Sequence, residues 1–584
     1  MAPVRHVTST DGVQLAVYET GPETGPDDPA APVVLAVHGY PDNHTVWDGV
    51  VAELSDRFRV VTYDVRGTGE SSKPAQRAAY RMPNLVDDLG AVLDAVSPEA
   101  PVHLLAHDWG SIQAWAAVTD EHFADRIATF TSISGPSLDH AAAWLRDGYR
   151  HPRAALRQLL DSWYIFAFQV PRAPEALMRS GRLDRLLAAG ESLHRSALSR
   201  QGRPERGVPE KVNGIQLYRA NMLPRLARPQ PRSTRIPVQV LAPRGDMFVS
   251  VPLQTQAPAP YVAQLTTRVI AGGHWVVVDR PDLIARHVAE FAQVRERAAT
   301  GPVGLAPRPR AGTFAGQRVV VTGGGRGIGR ACALEFAREG ADVIVADIND
   351  TAAKETAALV QDLGVHAAAY HLDVSDAEAW EAFAAQVRDE HGVPDVIVNN
   401  AGIGISGRFL ATSVADWQRI LGVNLWGVIH GSRLFGQQMV ERGEGGRIVN
   451  VASAAAFTPS RALPAYSTTK AAVLMLTECL RAELAGDGIG VTAICPGFVD
   501  SDITRTTTFV GVDETEQQRR RDHAAAAYHR RNYSPERLAR HAVRAAARNK
   551  PVAAISVESK AMRLVNRAAP PLARLVAKLD LARG

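Results

Sequence analysis

A chain of 584 residues is longer than one hydrophobic core accommodates, so two or more domains are expected. The pI near 9.0 reflects a formal charge of only +4, and no Lys/Arg block is interleaved with aromatics, which argues against a nucleic-acid partner. Cys332, Cys479 and Cys495 form no C-x-x-C pair, so neither a disulfide framework nor a metal site is expected, and the compartment reads as reducing. The opening MAPVRHVTSTDG lacks an apolar core of signal-peptide length, and no later run has the length of a membrane span. The expectation is a soluble cytoplasmic protein, or at most one attached to a membrane surface.

In chain order, Val13 to Glu19 alternates like a strand, a turn-rich loop follows, and Val33 to Val37 is a short apolar strand. It runs into His38-Gly39-Tyr40-Pro41, a sharp turn that leaves a backbone N–H free. Arg59 to Tyr63 is another strand, and the glycine-rich Asp64 to Ser71 after it reads as a structural turn. In Val102 to Trp115, VHLLAHDWGSIQAW, a buried strand meets a helix at a corner occupied by Asp108. Ala106 and Gly110 supply the small side chains that such a corner needs where strand and helix backbones nearly touch. This is the pattern of the nucleophile elbow of α/β-hydrolases with Asp in place of Ser. After the strand Ala128 to Ser132 the texture changes from about 137 to 232: helical, Arg-rich and studded with Trp144, Trp163, Tyr164, Phe166 and Phe168, as in a helical lid. Strand grammar resumes at Val238 to Leu241, which places Asp246 just past a strand, and Thr267 to Ile270 leads into Gly272-Gly273-His274-Trp275.

Asp108, Asp246 and His274 therefore follow one another in the order nucleophile, acid, base, each directly after a strand. A serine attacking saturated carbon would leave an ether that water does not cleave, whereas a carboxylate leaves an ester that it does. His274, oriented by Asp246, would activate that water, and the backbone N–H groups of Tyr40 and Trp109 would hold the oxyanion. Residues 1–298 resemble the epoxide hydrolases of the α/β-hydrolase fold. The resemblance implies that Tyr164 in SWYIFAFQVP and Tyr218 in IQLYRANM donate hydrogen bonds to the epoxide oxygen, with phenol pKa values near about 10. Haloalkane dehalogenases share the Asp elbow and are the alternative, although they often carry Asn where this chain has Tyr40. A serine esterase is disfavoured by the Asp at the corner.

Arg297 to Gln317, RAATGPVGLAPRPRAGTFAGQ, has no apolar periodicity and reads as a linker, taken as residues 299–315. A second domain, 316–584, opens with the strand Arg318 to Val321, the turn Thr322 to Gly329 and a helix through Glu339. Gly323, Arg326, Gly327, Ile328 and Gly329 form a turn at which backbone N–H groups and a helix N-terminus favour a pyrophosphate. Asp347 ends the next strand where a ribose-binding carboxylate is expected. Its charge repels a 2′-phosphate and favours NAD, while Arg326 would attract one, so NADP is the alternative. Asp373 and Val374 would flank the adenine. Asn400 follows the fourth strand as a cofactor contact, and Asn399 reads either with it or as a brace between strands.

From Gly316 to Ile503 these residues resemble the short-chain dehydrogenase/reductases. The resemblance implies a catalytic set of Asn424 in VNLWG, Ser453 in IVNVASAAA, and Tyr466 and Lys470 in YSTTK. Tyr466 and Lys470 stand four apart on one helix face, where the ammonium, with the cofactor's charge, would favour phenolate. Ser453 would hold the substrate oxygen and Asn424 anchor a relay water. Pro496 to Val499 resembles the family's turn near the nicotinamide, with Ser501 where Thr is frequent. Residues 513–532 read as a substrate lid, Ser534-Pro535-Glu536 as a capped helix start, and the tail from Lys560 as a basic segment that lies on a membrane, packs on a partner or is a solvated helix.

The expected fold class is α/β: an α/β-hydrolase fold with a helical lid, then a Rossmann-type doubly wound parallel sheet. The expected function is an epoxide hydrolase fused to an NAD(P)-dependent alcohol/ketone oxidoreductase acting on lipid-like small molecules, with a homo-oligomer formed through the second domain. The rival is a chain in which one half is a catalytically silent binding module.

Overall fold

The computed structural model describes residues 5–22, 31–180, 207–300 and 312–577, and its chain divides into two compact units, Met1–Leu305 and Ala306–Gly584. The first unit is built on an eight-stranded sheet. Its strands are β1 (Arg5–Thr8), β2 (Gln14–Thr20), β3 (Val33–Val37), β4 (Arg59–Tyr63), β5 (Val102–His107), β6 (Ile127–Ile133), β7 (Val238–Gly245) and β8 (Leu265–Gly273). The order across the sheet is β1-β2-β4-β3-β5-β6-β7-β8. The pairs β1/β2 and β2/β4 are antiparallel and the rest parallel.

The parallel strands read as continuous apolar runs because both faces are covered. Val33, Leu35 and Val37 of β3 join one core with Leu85, Leu89 and Trp115, whereas Val34 and Ala36 join another with Trp47, Trp275 and Ile284. The residues expected as nucleophile, acid and base lie just beyond the carboxyl ends of β5, β7 and β8, where α/β sheets keep their ligand sites. Between β6 and β7 the lid contributes the helices Leu138–Arg146, Pro152–Asp161, Trp163–Ala167, Ala173–Arg179 and Val208–Ala227. The part of the expected lid at 181–206 lies outside the described residues.

The second unit has a seven-stranded, wholly parallel sheet. Its strands, numbered on from the first unit, are β9 (Arg318–Thr322), β10 (Asp342–Asp347), β11 (Ala367–His371), β12 (Val396–Asn399), β14 (Gly446–Val451), β15 (Ile489–Cys495) and β17 (Val552–Ala554), while β13 (Ile405–Ser406) and β16 (Thr508–Phe509) form a separate two-stranded ladder. The order β11-β10-β9-β12-β14-β15-β17 reverses direction between β9 and β12, which opens a crevice at their carboxyl ends.

Both ends of the expected linker differ from the sequence reading. The helix Pro281–Thr300 runs past residue 299, and Phe314 is buried against Phe336, with its N–H donating to the Glu339 carbonyl at 3.0 Å. An aromatic inside a Pro- and Gly-rich run carries no periodicity, so only its contact reveals that it belongs to the second core. Residues 301–311 of that linker, and 578–584 of the tail, lie outside the described residues. The described tail forms the helices Val557–Ala568 and Pro570–Val576, and 513–532 is mainly the helix Glu514–Arg531.

Candidate active sites

The first site is built around Asp108, which joins β5 to the helix Trp109–Val118. Its backbone sits at φ 51°, ψ −124°, a left-handed conformation that costs a non-glycine residue of order 1–3 kcal/mol and is kept only where the surroundings enforce it. They do so here: the Asp108 N–H donates to Ile133 at 3.0 Å and its carbonyl accepts from Ile112 at 2.9 Å. A Cβ at Gly110 would collide with the Val37 and His38 carbonyls, so the helix can approach β3 only with glycine at that position.

The two carboxylate oxygens of Asp108 face different partners. Oδ1 accepts from the Tyr40 N–H at 2.6 Å, presented by the turn that contains the cis Tyr40-Pro41 bond. Oδ2 lies 3.5 Å from His274 Nε2. On its other side, His274 Nδ1 lies 3.1 Å from both oxygens of Asp246. The Asp246 Oδ1 also accepts the Phe248 and Val249 N–H groups at 2.9 and 3.0 Å. Burial alone would raise Asp246, but the adjacent His274 and these backbone donors hold its pKa below the ordinary value. Burial alone would likewise lower His274. The Asp246 charge and the hydrogen bonds to Asp108 and Asp246 outweigh it and push the imidazole up to about 10.

The structure brings Tyr164 and Tyr218 together above this group. Their rings meet edge to face at 5.9 Å, and Tyr218 also packs on Trp109 at 4.9 Å and Tyr40 at 5.5 Å. Burial raises the pKa of both phenols. The negative charge of Asp108 raises both further, above the ordinary phenol value, so they stay protonated and able to donate.

Three neighbours are not assigned to the site by the sequence alone. Phe248 packs on both His274 at 4.9 Å and Tyr164 at 5.3 Å, Phe168 packs on Tyr218 at 5.0 Å, and His107 Nε2 lies 2.8 Å from the His274 carbonyl. The pairs meet only across the lid and the strand ends. His107, one residue before the corner, was the one with a visible signal.

The second site lies at the crevice of the parallel sheet. Gly323 has φ +61°, and a Cβ at Gly329 would strike the Gly323 carbonyl and the Asn400 amide, so the helix Gly327–Arg338 starts against the turn. Asn400 Nδ2 donates to the Thr322 and Gly323 carbonyls, both at 3.0 Å, and thereby holds the turn from below. Asp347 accepts the Gly325 N–H at 2.9 Å through one oxygen and the Asn349 N–H at 2.9 Å through the other. Arg326 stands at the N-cap position of that helix without a side-chain capping bond and is exposed, and Ile328 and Gly327 are half-buried beside it. Asp373 accepts from Ser375 N at 2.9 Å, and Val374 is buried against Gly427. Asn399 is the brace of the two alternatives: its Nδ2 donates to Ser432 at 3.1 Å and to Asn450 at 2.8 Å.

Asn424 sits in a single π-helical turn, Gly422–Trp426, where its side chain exchanges hydrogen bonds with the Ile403 backbone at 2.8 and 3.0 Å. Tyr466 and Lys470 share the helix Pro464–Glu483, with Lys470 Nζ 5.9 Å from the Tyr466 ring centre and donating to the Val451 carbonyl at 2.9 Å. A Cβ at Gly402 would lie 3.3 Å from Asn424 Oδ1 and 3.4 Å from Lys470 Nζ, so these two groups converge on one spot. Burial raises Tyr466, opposed by its hydrogen bond with Ser453, and burial draws Lys470 down to about 8. Without the cofactor's charge, desolvation penalises both charged forms, the phenolate and the ammonium. Tyr528 was missed by the sequence reading. It reaches this site from the helix Glu514–Arg531, packs on Phe498 at 5.2 Å, and has its phenol raised by burial and by Tyr466.

Among the described residues no cluster of His, Cys, Asp and Glu is arranged to hold a metal, and no helix is long and apolar enough to cross a membrane. Cys332 and Cys495 are buried, and Cys479 is exposed.

Comparison with known proteins agrees with this division. Residues 32–281 match the alpha/beta hydrolase fold family and residues 317–509 the short chain dehydrogenase family. The chain is 41% identical over 604 residues to the probable oxidoreductase EphD of Mycobacterium tuberculosis, covering 98% of both proteins. Among solved structures, a short-chain dehydrogenase/reductase from Burkholderia phymatum in complex with NAD is 28% identical, with TM-score 0.41 over 45% of this chain and 96% of that one. An epoxide hydrolase from Bacillus megaterium in complex with an inhibitor is 20% identical, with TM-score 0.41 over 50% of this chain and 100% of that one.

Proposed function

This chain, an α/β-hydrolase-fold domain followed by a short-chain dehydrogenase domain, belongs to the family of the mycobacterial probable oxidoreductase EphD, and we propose that it is a bifunctional enzyme. The first half would hydrolyse an epoxide to a vicinal diol, and the second would oxidise or reduce an alcohol/ketone pair with a nicotinamide cofactor.

The observation that carries the hydrolase reading is the division of the Asp108 carboxylate, one oxygen on the Tyr40 N–H and the other facing His274. Oδ2 is then the attacking atom. It forms a bond to an epoxide carbon as the C–O bond breaks, and Tyr164 and Tyr218, held neutral, donate hydrogen bonds to the oxygen that becomes alkoxide. Alkylation removes the Asp108 charge, one of the two that keep His274 protonated. The imidazolium would then give up its proton as the alkoxide takes one, both through solvent, and the neutral imidazole would accept a proton from the water that attacks the ester carbonyl. Oδ1, on the Tyr40 N–H, would become the oxyanion, and its collapse would break the Cγ–Oδ2 bond, with the released diol oxygen taking the proton back from His274.

Incubating His274→Ala with an epoxide tests this reading directly. The expected result is a stable adduct of one epoxide mass on the peptide containing Asp108. An intact epoxide and an unmodified peptide would discard it, and release of halide from chloroalkanes by the wild-type protein would move the assignment to a dehalogenase.

In the second half the residues fit a dinucleotide. The glycine turn is too close to Asn400 and Ala401 for side chains, and the Asp347 carboxylate braces that turn from the end of β10. Gly323, Arg326, Gly327, Ile328 and Gly329 would hold the pyrophosphate, Asp347 the ribose, and Asp373 and Val374 would flank the adenine. NAD is favoured because Asp347 repels a 2′-phosphate. The bound nicotinamide supplies hydride chemistry. Tyr466 would donate or accept the proton at the substrate oxygen, Ser453 would hold that oxygen, and Lys470 and Asn424 would place a water at the spot on which they converge. Turnover of a ketone panel with NADH against NADPH tests the assignment, and use of neither would remove it. Lipid-like substrates fit the aromatic lining formed by Tyr164, Phe168, Tyr218 and Phe248.

A further inference from the structure

The lid has a second face that the site does not use. Its helix Pro152–Asp161 buries Ala155 and Gln158, and Gln158 fastens it to the acid loop through the Phe248 carbonyl and the Ser250 N–H, both at 2.8 Å. The outward side of that helix and of the next, Trp163–Ala167, carries Leu156 (60% exposed), Leu159 (52%), Leu160 (65%), Trp163 (65%) and Phe166 (59%). Scattered single apolar residues are ordinary on a protein surface, but five large ones on consecutive helices mark an interaction surface. Arginines stand among them. Arg157 is exposed and pairs with Asp161 only at 3.6 Å, and among the described residues Arg153 has no ion pair.

We propose that this outer lid face docks on an anionic lipid surface. Trp163, Phe166 and the leucines would enter the boundary between headgroups and acyl chains, while Arg153 and Arg157 meet headgroup phosphates. The charge pattern selects this occupant over a second copy of the chain, because an isologous contact would bring one cationic rim against the other. The arrangement also fits delivery of substrate. Trp163 and Tyr164 are neighbours on one short helix, and Tyr164 points the opposite way, onto Tyr218 and Phe248. A molecule leaving the lipid layer would thus meet the helix that roofs Asp108. Docking itself does not rest on which electrophile the site opens.

The test is sedimentation of the full-length protein with vesicles of phosphatidylglycerol and phosphatidylcholine in equal parts, against phosphatidylcholine alone. Binding is expected to the first and to weaken as salt rises. Trp163→Ser with Phe166→Ser should weaken it by about ten-fold or more, since two large apolar groups no longer leave water. Arg153→Gln and Arg157→Gln, changes at exposed positions outside the core, should each weaken it by about five-fold. Unchanged melting temperatures would show that the variants are folded. The proposal is overturned if the wild-type chain sediments with neither vesicle, or if the variants bind as it does. It is equally overturned if light scattering finds a dimer that Trp163→Ser and Phe166→Ser dissolve, which would give the face to a second copy.

Discussion

In the hydrolase-fold domain a buried imidazole, His274, stands between two buried carboxylates, whereas in the dehydrogenase domain a buried ammonium, Lys470, donates to a backbone carbonyl and among the described residues has no carboxylate partner. Burial pushes both cations toward neutrality. At His274 the carboxylates prevail and the pKa rises to about 10, whereas at Lys470 desolvation prevails and it falls to about 8. The first site carries its own counter-charges, so its protonation states are set before a ligand arrives. The second leaves them to be set when a charged ligand enters. In the proposed ester mechanism, neutralising the Asp108 charge is what would switch His274 on as a base.

The comparison can be broken most decisively at Asp108. Asp108→Ala should lower epoxide hydrolysis by about 10⁴-fold or more, as loss of a nucleophile does, and leave dehydrogenase turnover untouched. Tyr466→Phe is the mirror experiment: a drop of about 10²–10⁴-fold in ketone reduction with hydrolysis unchanged, because one general acid is removed. If either variant damaged both reactions, the two sites would not be independent. Tyr164→Phe and Tyr218→Phe should each lower the rate of ester formation by about 10²-fold, the loss expected for one donor to a developing oxyanion, while hydrolysis of preformed ester is spared. Stopped-flow separation of the two steps reads this, and an equal loss in both steps would assign the tyrosines to packing. Asp347→Ala should shrink the preference for NADH over NADPH by about ten-fold, about 1.4 kcal/mol, and an unchanged ratio would transfer that discrimination to another group.

The smallest effect sharpens the contrast in sign. His274 binds its proton more tightly in the folded state than at its ordinary pKa of 6.5, so its contribution to stability is complete below about 6.5 and is lost as pH rises toward about 10. Lys470 binds its proton less tightly folded than at its ordinary 10.5, so its burial penalty is relieved as pH rises from about 8. Calorimetry of the wild-type chain against His274→Ala and against Lys470→Met, between about pH 7 and about pH 9.5, should show the His274 difference shrinking with pH and the Lys470 penalty diminishing with it. Two differences that move with the same sign would contradict the opposed environments of the two cations.

Most of the strand grammar was legible in the chain, because parallel strands covered on both faces read as short apolar runs and each functional corner follows one directly. Asp108, Asp246 and His274 stand out for that reason, as do the glycines of Thr322 to Gly329. The linker ends were misread where Phe314 and the last turn of the helix Pro281–Thr300 follow no local rule. Phe248 and Tyr528 went unseen since each acts across a gap between elements distant in sequence. Asn400 was read as a cofactor contact, and the structure additionally shows its amide engaged with the Thr322 and Gly323 carbonyls.

Local chemistry by itself determined which groups are candidates for reaction: a carboxylate at a strained corner, an acid and an imidazole after later strands, and a tyrosine and lysine one helical turn apart. Their protonation was decided only in the tertiary structure. Whether His274 is charged, whether Tyr164 and Tyr218 stay neutral, and whether Lys470 gives up its proton depend on burial and on charges brought within a few ångströms by residues that lie far along the chain. Coulombic energy and desolvation are functions of distance and surroundings in space, and a linear order of residues specifies neither.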